Sequence, residues 1–172
     1  MKKKLVMIQP NSHKVYWGWY KYLDANYDFY LIVPQGNGEI PFLKNKVIFL
    51  DYQKGIDYVF WKYKLGFFIN LKNLDETLKK IKPDFVMSKI FHQPYTQVAY
   101  NYAKKNHLPF TIIEEQFQEP LHPVSKVIFY PFKKYLVQKL KSIPIISVTK
   151  QSEQYMKKIG FSNVRYNITY KK

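Results

Sequence analysis

Short runs of consecutive apolar residues, separated by stretches of helical character, constrain this chain more than any other feature. Leu5–Gln9, Phe29–Val33 (FYLIV), Val47–Leu50 (VIFL), Asp84–Ser88 (DFVMS), Phe110–Ile113 and Pro144–Val148 (PIISV) each span a few residues, and Val164–Ile168 adds a last candidate. They do not alternate apolar with polar residues, as a strand wetted on one face would. Continuous apolar runs of this length read as strands buried on both faces, the mark of a parallel sheet.

Helical patterns fill the intervals. Trp17–Ala25 is a candidate, weakened by Gly18. Asn73-x-x-Glu76 resembles a capping box, with Leu74, Leu78 and Ile81 following at helical spacing and Pro83 as the stop. Thr96–His107 places Val98, Ala99, Tyr102 and Ala103 on one stripe. Val124–Lys141 is helical but carries Pro131, which predicts two shorter helices with Pro131 opening the second. Thr149 can cap a helix with the stripe Tyr155, Met156 and Ile159, closed by Gly160. The aromatic segment Tyr58–Phe68 fits neither pattern. Strand followed by helix throughout predicts one α/β domain over residues 1–170, a Rossmann-like parallel sheet flanked by helices. Such sheets bind ligands at the carboxyl ends of their strands. The loops to search are Gln9–Gly18, Pro34–Glu39, Lys89–Tyr95, Glu114–Pro123 and Thr149–Lys150.

Composition narrows the chemistry. The 172 residues include no cysteine, which excludes disulfides, thiolate metal sites, iron–sulfur clusters and a cysteine nucleophile. The four histidines are scattered without His-x-His or His-x-x-x-His spacing, so no metal site is expected. Lys and Arg number 28 against 12 Asp and Glu, a formal charge of +16. From Pro120 onward there are eleven basic residues and a single acid, Glu153. That balance favours an anionic partner: nucleic acid, a phosphorylated small molecule or an acidic membrane surface. A Lys-rich coding bias explains the overall charge equally well, but explains the local loss of acids less well. The apolar runs fall far short of the roughly 18 to 20 residues of a membrane-spanning helix. The opening MKKKLVMIQP is too short in apolar residues for a signal peptide. A cytoplasmic location is the default expectation.

The run KPDFVMSKIFHQPYTQVAYNYAKKNHLPFTIIEEQ resembles the middle of the N-terminal domain of GT-B glycosyltransferases of the family 4 type. There a K-P-D strand leads into a polar loop, an Ala-rich helix and a small-x-P-hydrophobic strand. IPIISVTKQSEQYMKKIGFSNVRYNITY resembles that family's later A-D-x-I-I-A-V-S stretch. Three departures stand out. The loop after the first strand, NSHKVYWGW, has the single Gly18 in place of a G-G pair. Glu114-Glu115-Gln116 stands where many members carry T-x-H. The sequence also ends where the donor-binding domain, with its E-x7-E motif, is expected to begin. The resemblance implies an acceptor-binding half of a glycosyltransferase, acting in cell-surface glycan or glycolipid synthesis. It implies a nucleotide-sugar donor for the full enzyme and no cofactor held by this domain alone. It further implies a donor domain in the same or another chain, and an isolated chain without activity.

The candidate residues follow from the strand ends. Asn11, Ser12, His13 and Lys14 can meet a phosphate or substrate at a helix start, with Gly18 nearby. His92 can orient an acceptor hydroxyl or serve as a base. Glu114 and Glu115, adjacent on an extended segment, point opposite ways, so one can face a cleft and activate a hydroxyl while Glu119 adds to the acidic cluster. Catalysis is assigned to Glu115 and His92; Glu114, Thr149 and Lys150 join the substrate loop. Lys126, Lys133, Lys134, Lys139 and Lys141 surround the stripe Val124, Val127, Ile128, Phe132, Tyr135, Leu136 and Leu140. Such a basic amphipathic helix can lie on an anionic membrane, or the stripe can pack on the sheet with its lysines solvated. Trp61–Phe68 can contact lipid or a lipid-linked acceptor, or simply fill the core. Two other classes stay open: a stand-alone Rossmann-like module binding a nucleotide or partner protein, and a nucleic-acid-binding protein. The last is disfavoured, because no recognisable motif gathers the Tyr and Lys residues into one element.

Overall fold

The computed structural model describes residues 1–53, 69–115 and 123–166, with backbone alone for residues 123–129 and 132. Seven strands form one sheet: β1 (Lys4–Ile8), β2 (Asp28–Pro34), β3 (Val47–Leu50), β4 (Phe85–Lys89), β5 (Phe110–Glu114), β6 (Ile145–Ser147) and β7 (Val164–Tyr166). Their order is β3-β2-β1-β4-β5-β6-β7, and every pairing is parallel. The chain winds outward in one direction from β1 to β3, then crosses back and winds the other way from β4 to β7. The winding reverses between β1 and β4, the position at which open α/β sheets bind ligands beyond the carboxyl ends of their strands.

Among the described residues five α-helices lie between the strands: α1 (Trp17–Asn26), α2 (Leu74–Ile81), α3 (Pro94–Lys105), α4 (Pro123–Leu140) and α5 (Lys150–Lys158). One sheet face, from Val6, Ile8, Val86, Ile112 and Ile145, packs with Leu74, Leu78, Ala99, Ala103, Leu136, Leu140 and Met156 of α2 to α5. The other, from Leu5, Met7, Leu31 and Val33, packs with Tyr20 and Leu23 of α1 and with Ile40 and Leu43. Both faces of the central strands are thus dry, which is why their sequences read as unbroken apolar runs. Each fully buried aliphatic side chain contributes about 1.5–3 kcal/mol.

Two local expectations are corrected. The α4 helix runs through Pro131 as one element. The proline removes one N–H donor, while Leu136, Val137 and Leu140 hold the following turns to the core. Asn73 does precede α2, but it sits in the left-handed region at φ 59° and its side chain makes no capping bond, so the capping box is not formed. Thr149 does cap α5: its hydroxyl accepts from the Ser152 N–H at 3.0 Å. Gly160 follows that helix at φ 112°. The aromatic segment Tyr58–Phe68, Glu119 and the end of the last candidate strand lie outside the described residues.

Candidate functional site

The strand registers bring the site together. Ile8 pairs with Ser88, so Gln9 and Lys89 leave adjacent strands side by side. Lys89 pairs with Ile113, which sets Glu114 and Glu115 at the end of the next strand. The Lys89 side chain is 3% exposed, and its Nζ lies 3.0 Å from Oε2 of Glu115, which is 32% exposed. Tyr16, which closes a 3-10 turn at Lys14–Tyr16, points its hydroxyl at both Glu115 oxygens, 2.6 and 2.8 Å away. The Lys89 ammonium lies 3.7 Å from the centre of the Tyr16 ring, a cation–π contact. Burial lowers the Lys89 pKa, and the Glu115 charge and hydrogen bond, with the charge of Glu114, oppose that shift.

Adjacent Glu114 and Glu115 divide their work, as alternation along a strand predicts. Glu114 is fully buried, and its carboxylate accepts the N–H of Phe91 and of Glu115, both at 3.0 Å. Its own carbonyl accepts Val148 N–H and the Ser152 hydroxyl. Glu114 therefore ties the ends of β4, β5 and β6 into one rigid edge. Ile90 beside it has φ 68°, a left-handed conformation that costs a β-branched residue about 1–3 kcal/mol. The Thr96 hydroxyl holds the Ile90 carbonyl at 2.8 Å, and Ile90 N–H bonds to Ile113. The Tyr95 hydroxyl donates to the Lys89 carbonyl at 2.6 Å; burial and then the Glu114 charge raise its pKa well above the ordinary value. His92 stands edge-on to the Phe91 ring. Burial, and secondarily the charge of Lys133, lower its pKa to about 4, so its imidazole is neutral at physiological pH. A group of that pKa is a weak base and a good hydrogen-bonding group.

The loop after β1 supplies the other wall. Gln9 is fully buried, and its amide nitrogen donates to the Asn11 carbonyl and the Tyr20 hydroxyl. Ser12 bonds to the loop after β2, through Asn37 Oδ1 at 3.0 Å and the Gly38 carbonyl at 2.8 Å. His13 is exposed before the 3-10 turn, and Gly18 is exposed in the first turn of α1 with no described atom within 4 Å of a Cβ position. Lys150 is exposed at the start of α5. The Tyr16, Lys89 and Glu115 side chains are joined by direct contacts; Asn11, Ser12, Glu114 and Thr149 hold the loops around them. Sequence reasoning missed Tyr16, Lys89 and Gln9. Their sole signal was position, since one more lysine or tyrosine in this chain attracts no notice.

In the basic helix the side chains of residues 130, 131 and 133–140 are described. Leu136 and Leu140 are in the core, while Tyr135 is 56% exposed. Lys134 and Lys141 are exposed; Lys133 donates to the Tyr155 hydroxyl at 2.8 Å, and Lys139 lies near the Tyr100 and Tyr135 rings. The side chain of Lys126 lies outside the described residues. Among the described residues no helix is long and apolar enough to cross a membrane. A separate cavity of about 960 Å³ opens at the opposite end of the sheet, lined by Phe85, Met87, Phe110 and Ile146 near the starts of the strands.

No protein-family model matches the chain, and no curated protein sequence matches it. Among solved structures it is similar to the UDP-N-acetylglucosamine 2-epimerase from Rickettsia bellii, with a TM-score of 0.56 and 14% sequence identity over 96% of this chain. The chain spans 44% of that protein's length. The likeness defines the class of fold: a GT-B-type Rossmann domain. At this identity it carries the fold alone and does not single out family 4.

Proposed function

We propose that this domain is the acceptor-binding half of a glycosyltransferase, which receives a sugar from a nucleotide-sugar donor on a hydroxyl seated at Glu115. The observation that carries the reading is the Tyr16–Lys89–Glu115 group at the reversal of strand order, where open α/β sheets bind ligands. Glu115 is the accessible carboxylate of the pair, and a carboxylate has lone pairs left after accepting two donors. It would accept the acceptor hydroxyl, with Lys89 fixing its orientation. His92, neutral, would hold a second hydroxyl. Asn11, Ser12 and His13 would form the rim, and Thr149 and Lys150 would close the last loop. The donor would be held by a second domain, in the same or another chain. The acceptor would belong to cell-surface glycan or glycolipid synthesis, with exposed Lys134 and Lys141 drawing the domain to an anionic membrane surface. The likeness to an epimerase of a sugar nucleotide favours a second reading, in which the domain is half of an enzyme that rearranges such a molecule.

The test is transfer of labelled sugar from nucleotide-sugar donors to lipid and glycan extracts by the native protein that contains this chain. The account expects labelled product, and a loss of roughly 100-fold or more with Glu115→Ala. Unchanged transfer in both Glu115→Ala and His92→Ala would remove the assignment of this edge. Rearranged nucleotide sugar without transfer would favour the second reading.

A further inference from the structure

Tyr16 presents a hydroxyl, carried on a six-membered ring, to both oxygens of Glu115. That is the contact an acceptor sugar's hydroxyl would make. We propose that Tyr16 is a place-holder on Glu115 that an uncharged, ring-borne hydroxyl of the acceptor displaces. The inference rests on the acceptor-side reading above. It adds the chemical class of the group bound and the residue that competes with it.

The hydrogen-bond polarity of the site carries the class. The Lys89 ammonium is committed to Glu115, and the Glu114 carboxylate to two backbone N–H groups. The Gln9 amide nitrogen donates to the Asn11 carbonyl, which can only accept, so the orientation of that amide is fixed. Its Oε1 is buried without a donor among the described residues, as is Asn11 Oδ1. Against these two acceptors stand one buried donor without a partner among the described residues, Trp17 Nε1, and the Ser147 hydroxyl, which can act either way, so the balance at this edge favours acceptors and calls for donors. A hydroxyl supplies one. A phosphomonoester dianion supplies none from its phosphate, inorganic phosphate dianion only one, and either meets two carboxylates against one buried ammonium. His13, Lys14 and Lys150 are exposed on the rim, where solvent and salt screen them. The net charge of +16 would suggest an anionic ligand, yet the innermost groups oppose one.

Tyr16 is also built to move. Its three-residue turn has no buried side chain and no side-chain cap, and both Lys14 and Val15 are exposed. Swinging the phenol away breaks its contacts with Glu115 and Lys89 and loosens its packing beside the Tyr20 ring at the margin of the core.

The test uses the purified chain and ligand-observed NMR. The neutral probes are methyl glucopyranoside, methyl galactopyranoside and methyl N-acetylglucosaminide. The anionic probes are glucose 1-phosphate and inorganic phosphate. At least one neutral glycoside should bind. Tyr16→Phe keeps the ring over Lys89 but removes the competing hydroxyl, and should tighten that binding roughly 3- to 10-fold, the worth of one hydrogen bond. Glu115→Gln should weaken it, and inorganic phosphate should not compete. Binding should also speed amide exchange at residues 14–17. Circular dichroism confirms that each variant is folded. Affinity unchanged or weakened in Tyr16→Phe would overturn the proposal. Inorganic phosphate that competes with the glycoside in a Glu115-dependent way would overturn the uncharged class and leave the acceptor-side reading standing. If no carbohydrate binds, the inference fails, and the transfer assay alone decides the reading beneath it.

Discussion

Glu115 and Lys89 share one ion pair but not one environment, being 32% and 3% exposed, and this inequality makes their mutants unequal. Glu115→Ala strands a buried ammonium and should cost about 2–3 kcal/mol; Lys89→Met removes that charge and leaves a carboxylate that water can reach, so the cost should stay below about 1 kcal/mol. Urea unfolding of both variants checks this, and equal losses would show that Lys89 is not the desolvated member. His92 gives a pH prediction. Below pH 6.5 the unfolded chain binds a proton on this ring, which the folded protein refuses until about pH 4. Stability therefore falls as pH drops through that window, by the order of 1–3 kcal/mol from this residue. His92→Gln should flatten that part of the pH profile relative to wild type. Identical slopes between pH 6.5 and 4 would mean that the ring titrates freely in the folded state.

The helix ends supply sharper tests than the helix interiors do. Thr149→Ala removes the 3.0 Å cap on Ser152 N–H and should cost about 1 kcal/mol. Gly160→Ala must hold an alanine at φ 112° with its Cβ 3.2 Å from Val137 Cγ1, and should cost at least as much in a thermal melt. Both features were legible in the sequence, because a Thr before and a Gly after an apolar stripe each have one local meaning. The strands were legible too, Val47–Leu50 to the residue, because burial on both faces leaves an unbroken apolar run. Asn73 was misread for a physical reason: the same residue type serves as a cap and as a left-handed turn, and the pattern cannot say which. Pro131 was misread because a proline's local cost can be outweighed by packing distant in sequence. At the site, Glu114 and Glu115 could be found by position. The Tyr16–Glu115 contact joins residues 99 apart in the chain, and no local pattern encodes it.

At the scale of the molecule, the sheet separates two edges, with polar groups gathered where the strands end and an apolar cavity where they begin. The helix α4 connects this architecture to charge. Its Leu136 and Leu140 belong to the core, so among its described side chains those that would meet a membrane are the exposed Lys134, Tyr130 and Tyr135, with Lys141 just beyond its end. The chain should sediment with anionic vesicles at low salt and be released as salt rises. Lys134→Glu with Lys141→Glu should weaken that binding; equal binding to neutral vesicles, or none to either, would remove the membrane from the account. The central claim is that ligands meet this domain at the carboxyl edge, where β1 and β4 diverge. It is tested most directly by titrating the ¹⁵N-labelled chain with neutral glycosides and following its amide shifts. The account predicts changes confined to residues 9–18, 89–93, 114–115 and 149–150. Changes clustered instead around Lys3, Asp84, Phe85 and Pro109, at the opposite edge, would contradict it.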